Sequence, residues 1–311
     1  MPLIISGQYR GPVIPAPGPP PALLPFVADD PTATYLDPRG GVWPLSDPAQ
    51  GWATLDAVAG LGAVVYDLTT DAHPRGGSRL RHAQPQSRVI TWPVLVWGDT
   101  HAEFLTRWRA LARALTMTLR AGPGRLRVYR PDGSAREVLV RYQGGFEGEP
   151  GQGITYDTAI VSLLAEDPYW RDPPTTLRFS QATPRPFLNP YPSLSASRVF
   201  GDVTVTNSGD VEAWPDWVLR GPCNGLAATN LTAGESFTLT YALGPGEEVR
   251  ITTDPPAVRG PAGQPLTSAL AWPGAVLWAL TDGANRVRLT VPGSGPGAEV
   301  ALSFTPRHET A

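Results

Sequence analysis

Apolar and polar residues alternate with a period of two in five short segments of the second half of the chain. These segments are residues 202–207, 236–241, 248–252, 285–291 and 299–304. Successive side chains of a β-strand point to opposite faces, so the alternation predicts strands with one buried face. Turn sequences such as 207–210 and 244–246 separate the segments. We therefore predict a β-sandwich over residues 199–311.

The first half of the chain contains one segment whose apolar residues repeat with the period of an α-helix. Its apolar residues recur at steps of four, three and four, which places them on one helix face; they are Phe104, Trp108, Leu111 and Leu115. Thr100 and Glu103 have the spacing of a capping box at the start, and Gly122 follows the last turn. The pattern predicts a single amphipathic helix that begins near residue 100.

Strands are predicted on both sides of this helix. Residues 88–97 are rich in β-branched and aromatic side chains, although Pro93 lacks a backbone donor and suggests an edge or a bulge. Residues 125–142 read as a hairpin around a Pro-Asp-Gly turn. Short strands are predicted at 41–45 and 63–66, and a longer one at 154–164. Residues 31–172 are therefore predicted to form a second, mainly β domain with one helix.

Two proline-rich segments flank this domain. Residues 12–25 contain seven prolines, which favours an extended arm over residues 1–30; a flexible leader is the alternative. Residues 173–198 are also proline-rich and are predicted to be a semi-rigid linker.

The composition, charge and cysteine count exclude several classes of protein and of binding site. The chain has 33 glycines and 36 prolines, and 41% of its residues are hydrophobic, which excludes a wholly disordered protein. The net charge is −3 without a basic patch, so tight binding of nucleic acid is not expected. Cys223 is the only cysteine and the four histidines are scattered, so we predict no disulfide, no metal site and no cofactor. No signal peptide or membrane span is predicted.

The candidates for chemistry are few. No metalloprotease, α/β-hydrolase or P-loop motif occurs. Paired carboxylates could serve a glycosidase, and Glu147 with Glu149 or Glu166 with Asp167 are the pairs to consider. Aromatic side chains could stack on a sugar, and the alternative is that they cover the core. The stacking candidates are the 167–170 segment and Trp214, Trp217, Trp272 and Trp278.

The order of these motifs resembles the siphophage distal tail protein family. In the first half, the matching segments are 52–62, 88–94, the helix, 124–134, Arg136, Tyr142 and 165–170. In the second half they are 205–209, 214–215, 221–222, 244–247, 277–278 and Asn285. The resemblance extends from about Trp43 to Phe304, and the proline-rich arm departs from it.

The resemblance implies a split β-barrel-like N-terminal domain with one α-helix and a galectin-like C-terminal sandwich. It implies a sixfold ring at the distal end of the phage tail, which joins the tail tube to tail-tip, tail-associated and receptor-binding proteins while DNA passes through. It brings no catalytic residues. We predict a structural virion protein, made in the host cytoplasm, that is not an enzyme. A cell-wall carbohydrate-binding module and a tail-associated glycosidase are the alternatives.

Ring formation requires surfaces on each copy that close head to tail. We expect them in strand 88–97, in hairpin 125–142 and in the arm, through exposed strand edges. Six copies would carry six times the charge of −3, and such a ring would not hold DNA by arginine–phosphate contacts.

Overall fold

The computed structural model describes residues 32–130, 133–148, 151–180 and 198–311. The predicted arm lies outside these residues, as do residues 181–197 of the predicted linker. Residues 31–311 form one compact unit with two hydrophobic cores, one under each predicted domain.

The first core lies under a sheet of nine strands, seven of which run in the order β2-β1-β7-β8-β9-β6-β3. The described strands of the first half are β1 (Ala33–Leu36), β2 (Val42–Pro44), β3 (Trp52–Thr54), β4 (Tyr66–Ala72), β5 (Ser78–Pro85), β6 (Arg88–Trp97), β7 (Gly124–Tyr129), β8 (Ala135–Gly144), β9 (Tyr156–Ala165) and β10 (Trp170–Arg171). Of these, β4 and β5 form a separate two-stranded ribbon. A 3-10 turn spans Pro48–Gln50.

The long helix α1 (His101–Thr116) covers this sheet, and a short helix α2 (Thr118–Ala121) follows it. The predicted apolar face is confirmed, because its four residues are buried together with Ala114. The Thr100 side chain accepts a hydrogen bond from the Glu103 backbone N–H at 3.2 Å. The Glu103 carboxylate in turn accepts from the backbone of Asp99. The predicted pair of Thr100 and Glu103 therefore caps the helix, although the Glu103 carboxylate accepts from Asp99 and not from Thr100 itself.

The second core lies between two antiparallel layers. Its strands are β11 (Thr175–Ser180), β12 (Arg198–Val199), β13 (Asp202–Asn207), β14 (Asp216–Arg220), β15 (Cys223–Asn230), β16 (Glu235–Leu243), β17 (Glu248–Thr253), β18 (Pro256–Arg259), β19 (Gly283–Thr290) and β20 (Glu299–Phe304). The last strand, β21 (Arg307–His308), belongs to the first sheet. One layer has the order β12-β11-β20-β14-β17-β18, with β12 parallel to β11, and the other has the order β13-β19-β15-β16. A 3-10 turn spans Thr267–Ala269.

The predicted fold class is confirmed: a mainly β protein with a curled, split-barrel-like first half that carries the long helix, and a galectin-like β-sandwich. All five alternating segments of the second half are strands. The predicted strand 88–97 coincides with β6, and 125–142 forms the β7–β8 hairpin.

Three local predictions need correction. The predicted linker 173–198 contains β11, which pairs along its whole length with β20, so the sandwich begins well before residue 199. Residues 63–65 are not in a strand, because β4 starts at Tyr66. Pro93 lies in an inner strand between β3 and β9, where its carbonyl accepts from Leu55 just beyond the end of β3. A missing backbone donor is tolerated there because the neighbouring strand has ended.

The chain returns to the first sheet after the sandwich is complete. Strand β21 pairs with β10, and β10 in turn pairs with β8. We call residues 307–311 the strap, since they follow the sandwich in sequence and pack on the first half of the protein.

Candidate functional site

The carboxylates considered for catalysis are engaged by other groups. The Glu147 carboxylate accepts hydrogen bonds from the Gly145 backbone and the Tyr142 hydroxyl, and these contacts lower the pKa of Glu147. Glu149 lies outside the described residues. Glu166 forms an ion pair with Arg141 at 2.9 Å.

Asp167 is held by two guanidinium groups. Arg171 donates to one carboxylate oxygen at 2.7 Å and Arg307 to the other at 2.8 Å. Burial alone would raise the pKa of Asp167, but the hydrogen bonds from these arginines outweigh burial and lower it. Arg307 also lies over the ring of Tyr169 at 4.3 Å from its centroid. Asp167 is therefore an anionic anchor for the two arginines.

The aromatic residues of the 167–170 segment cover the core. Trp170 is fully buried and Tyr169 nearly so. The Tyr169 backbone N–H donates to the Asp167 carboxylate at 3.4 Å, which matches the capped turn that was the alternative to a sugar platform.

The four sandwich tryptophans separate into two pairs. Trp217 and Trp278 are buried and pack edge to face at 5.2 Å between ring centroids, so neither offers a face to a sugar, and both match the alternative that they cover the core. Trp214 is 39% exposed and Trp272 is 58% exposed. Trp217 occupies an inward position of β14, which forms part of the core, whereas the other three tryptophans lie outside the strands.

Trp214 lines an open cleft of about 300 Å³ where the sandwich approaches the first sheet. The cleft is also lined by Arg171 and Arg307, by Asp216 and Asp254, and by Ser303. Burial raises the pKa of Asp216. Trp272 does not line this cleft.

A buried arginine joins the strap to the first half. Arg88 is almost fully buried and donates to the Pro168 carbonyl at 2.7 Å and to the carbonyls of Gly60 and Gly62. It also donates to the Glu309 carbonyl of the strap at 2.7 Å. Burial lowers the pKa of Arg88. Five donors in a planar fork suit four carbonyls that converge from separate segments.

The Glu309 side chain extends this junction to the base of the ribbon. Its carboxylate accepts from the Val64 backbone at 3.0 Å and from the Tyr66 hydroxyl at 2.7 Å. Burial and the hydrogen bonds to Tyr169 and Glu309 raise the pKa of Tyr66. The ribbon thus leaves the body of the protein at a well-anchored point.

The β4–β5 ribbon pairs with no other described strand, and nearly all of its side chains are exposed. Its turn uses Gly76 and Gly77, both with positive φ, which other residues rarely adopt. Strand alternation puts Leu68, Ala83 and Leu80 on one face of the ribbon. The other face carries Asp67, Thr69, Asp71, Arg79, His82 and Gln84. The ribbon is amphipathic although neither face is covered.

A second exposed apolar surface lies on the outer face of the first sheet. It is formed by β6 and β9, where Val89, Ile160 and Tyr156 are exposed. We call it the outer sheet face. Alternation of the same strands buries the other side of each strand in the first core.

The strands predicted to offer open edges are inner strands of the sheet. Both β6 and β8 have a neighbour on each side, but their second neighbours pair with only part of each strand. The sequence prediction of open edges along the 88–97 strand and the 125–142 hairpin therefore holds at most for the unpaired parts of these strands. The open edges of this sheet are β2 and β3.

The described residues contain no group of three or more His, Cys, Asp or Glu side chains that could hold a metal ion. Their helices are too short or too polar to cross a membrane.

Sequence reasoning missed the ribbon and the role of Arg88. The ribbon had a usable signal, since glycines follow Pro74 between two weakly alternating segments. Arg88 had none, because its carbonyl partners come from segments up to 221 residues away.

The fold corresponds to that of phage proteins over nearly its whole length. The Dit protein of phage SPP1, described as a paradigm of the hub adsorption apparatus of phages that infect Gram-positive bacteria, matches 88% of this chain and 98% of its own. The TM-score is 0.64 and the identity is 13%. A chain of the phage P2 baseplate in its activated, calcium-bound conformation matches 90% of this chain and 99% of its own, with a TM-score of 0.51 and 8% identity.

One neighbour belongs to a phage adsorption apparatus and the other to a phage baseplate, and the predicted resemblance to distal tail proteins is confirmed at the level of the fold. By sequence, the chain matches no protein-family profile and no curated protein.

Proposed function

We propose that this chain is a siphophage distal tail protein, a structural subunit that acts by holding other proteins in place and not by catalysis. The supporting observation is the correspondence with SPP1 Dit, which includes both halves of the chain and leaves only 2% of the neighbour uncovered. A shared sandwich alone would be weak support, because sandwiches serve many functions. A shared pair of domains in the same order is more specific.

In this proposal, six copies form a ring at the distal end of the tail. One face of the ring binds the tail tube, and the other binds tail-tip and receptor-binding proteins. DNA passes through without specific binding. The protein is made in the host cytoplasm and ends up in the virion.

Two surfaces of the described chain favour assembly into a ring. The apolar face of the ribbon and the outer sheet face are different in shape, and both are exposed in a single copy. Exposed apolar surface of this kind marks interaction sites in soluble proteins. When two different patches of one chain bind each other between copies, the contact is heterologous and generates a closed ring or an open filament. We therefore propose that the ribbon of one copy lies on the outer sheet face of the next.

Native mass spectrometry of the purified chain tests the assembly. We expect a species of six times 33.2 kDa, with cryo-electron microscopy of virions locating it as a collar at the tail end. A chain that is monomeric in solution and located on the capsid, or missing from the mature virion, would contradict the proposal. Clearing of bacterial cell walls in a zymogram would contradict the non-enzymatic role.

A further inference from the structure

The cleft beside Trp214 brings three features together. It has a partly exposed indole, two surface carboxylates without an ion pair or hydrogen bond from any described residue, and two arginines held in fixed positions. Its volume of about 300 Å³ is at the lower end of the range for small-ligand sites.

The local backbone brings these groups to one place. Strand β14 begins at Asp216, which pairs directly with Ser303 of β20. The Thr253 hydroxyl donates to the Pro215 carbonyl at 2.7 Å, so the segment that contains Asp254 lies beside Trp214. The two carboxylates and the indole are therefore carried by neighbouring strand ends of one sheet.

The opposite wall is pre-organised. Asp167 binds both Arg171 and Arg307, and Arg307 is also fixed against the ring of Tyr169. The Nε atom of Arg307 is buried without a hydrogen-bond partner. Guanidinium groups that are already fixed lose little conformational entropy when a ligand binds.

The mixture of charges selects the ligand class. A purely cationic ligand could not accept hydrogen bonds from the arginines, and an anionic one would meet the unpaired carboxylates of Asp216 and Asp254. A wholly apolar ligand would leave these charged groups desolvated and unpaired. A neutral ring with several hydroxyls avoids all three costs, because hydroxyls donate to carboxylates and accept from guanidinium groups. Its flat C–H face can lie on the indole of Trp214.

We propose that this cleft binds a neutral saccharide, with a pyranose ring stacked on Trp214 and its hydroxyls bound by Asp216, Asp254 and the arginines. Partial burial raises the pKa of Asp216. The inference goes beyond the ring proposal and does not depend on it. A chain that fails to assemble could still bind sugar through this cleft.

The test is saturation-transfer NMR on the full chain with free glucose, galactose, rhamnose and N-acetylglucosamine, followed by calorimetric titration of each sugar that gives a signal. We expect at least one to bind. Trp214→Ala should weaken that binding at least about tenfold, and Asp216→Asn should weaken it several-fold. Trp214→Phe should restore part of the affinity because it keeps a flat ring.

The chain offers a matched control in Trp272, which is more exposed than Trp214 but lies outside the cleft. Trp272→Ala should leave binding unchanged within about twofold. Absence of a signal from all four sugars would overturn the inference, and so would binding that survives Trp214→Ala or is lost equally in Trp272→Ala. Binding of free arginine without any sugar signal would overturn it in favour of a cation site.

Discussion

At the scale of single residues, the strongest constraints in this protein are polar groups at the junction of its two halves. Arg88 satisfies four carbonyls, and Asp167 fixes two arginines. Buried polar groups stabilise a fold only when they are fully paired, and removing one partner leaves the others unsatisfied. Each of these two residues therefore controls several segments at once.

Replacing Arg88 tests this control of several segments. Arg88→Met keeps much of the aliphatic stem but removes every donor, and we expect the free energy of unfolding to fall by about 3 kcal/mol. Arg88→Lys should recover only part of the loss, because an ammonium group cannot reach four carbonyls in a fork. Urea denaturation measures both, with the exposed Arg250→Ala as a control that changes stability by less than about 0.5 kcal/mol. Full recovery by lysine would contradict the role of the fork.

Asp167 makes stability depend on pH in the acid range. Its folded-state pKa is lower than the unfolded value, so its contribution is complete above the unfolded pKa of about 4 and disappears as the pH falls through the folded value. Asp167→Asn should lower stability at pH 7 and flatten the decline below about pH 4. Thermal unfolding between about pH 7 and 2 measures the slope. An unchanged acid slope would show that other carboxylates cause the decline.

At the scale of elements, α1 and the ribbon differ in whether their apolar face is buried. The helix has a capping box and an apolar face that is buried on the sheet, so its sequence and its environment agree. The ribbon has an apolar face and no partner among the described residues. A two-stranded hairpin is only marginally stable by itself, and this one is anchored at its base by Tyr66 and Glu309.

Charged substitutions on each face of the ribbon test separately which face forms the contact between copies. Leu68→Asp combined with Leu80→Asp should convert the proposed hexamer to smaller species, because two charges would be buried at the contact between copies. The thermal midpoint of the single copy should change little, since both leucines are exposed. Sedimentation velocity measures the assembly.

The polar face of the same ribbon supplies the control. Thr69→Asp combined with Gln84→Asp adds the same charge on the opposite side. We expect this variant to assemble normally. Loss of the hexamer in both variants would indicate a general effect of charge and not a contact through the apolar face.

At the scale of the whole molecule, two separate cores are joined by the strap. Its backbone receives donors from Arg136 and Arg88, and the Ala311 N–H donates to the Leu61 carbonyl at 2.9 Å. The His308 ring lies 2.8 Å from the Asp172 carboxylate. The strap thus couples the folding of the sandwich to that of the first sheet.

Removing residues 307–311 tests the coupling. The intact chain should unfold in one calorimetric transition, and the shortened chain should show two, because each half keeps its own core while the contacts that join them are lost. Differential scanning calorimetry distinguishes the two cases. Substituting Arg286, which lies on the exposed side of β19, should leave the single transition unchanged. A single transition in the shortened chain would show that the strap does not transmit cooperativity.

Periodic patterns were enough to predict the elements that repeat locally. The alternating strands of the sandwich, β6, the β7–β8 hairpin and α1 were all predictable, because side-chain direction follows from backbone geometry within a few residues. The order of motifs was also enough to indicate the fold. Pro93 and the linker show the limit, since whether a strand is inner or where a domain begins depends on its neighbours.

Contacts between distant segments were decided only by the tertiary structure. The sequence offered four similar tryptophans, and packing buried Trp217 and Trp278 while leaving Trp214 in the cleft and Trp272 outside it. The partners of Arg88, the return of the strap and the free apolar face of the ribbon likewise depend on segments far apart in the chain. Periodicity in the sequence predicts which side of its own helix or strand a residue occupies. Only the packing of the other elements decides whether that side meets a core, a cleft or solvent.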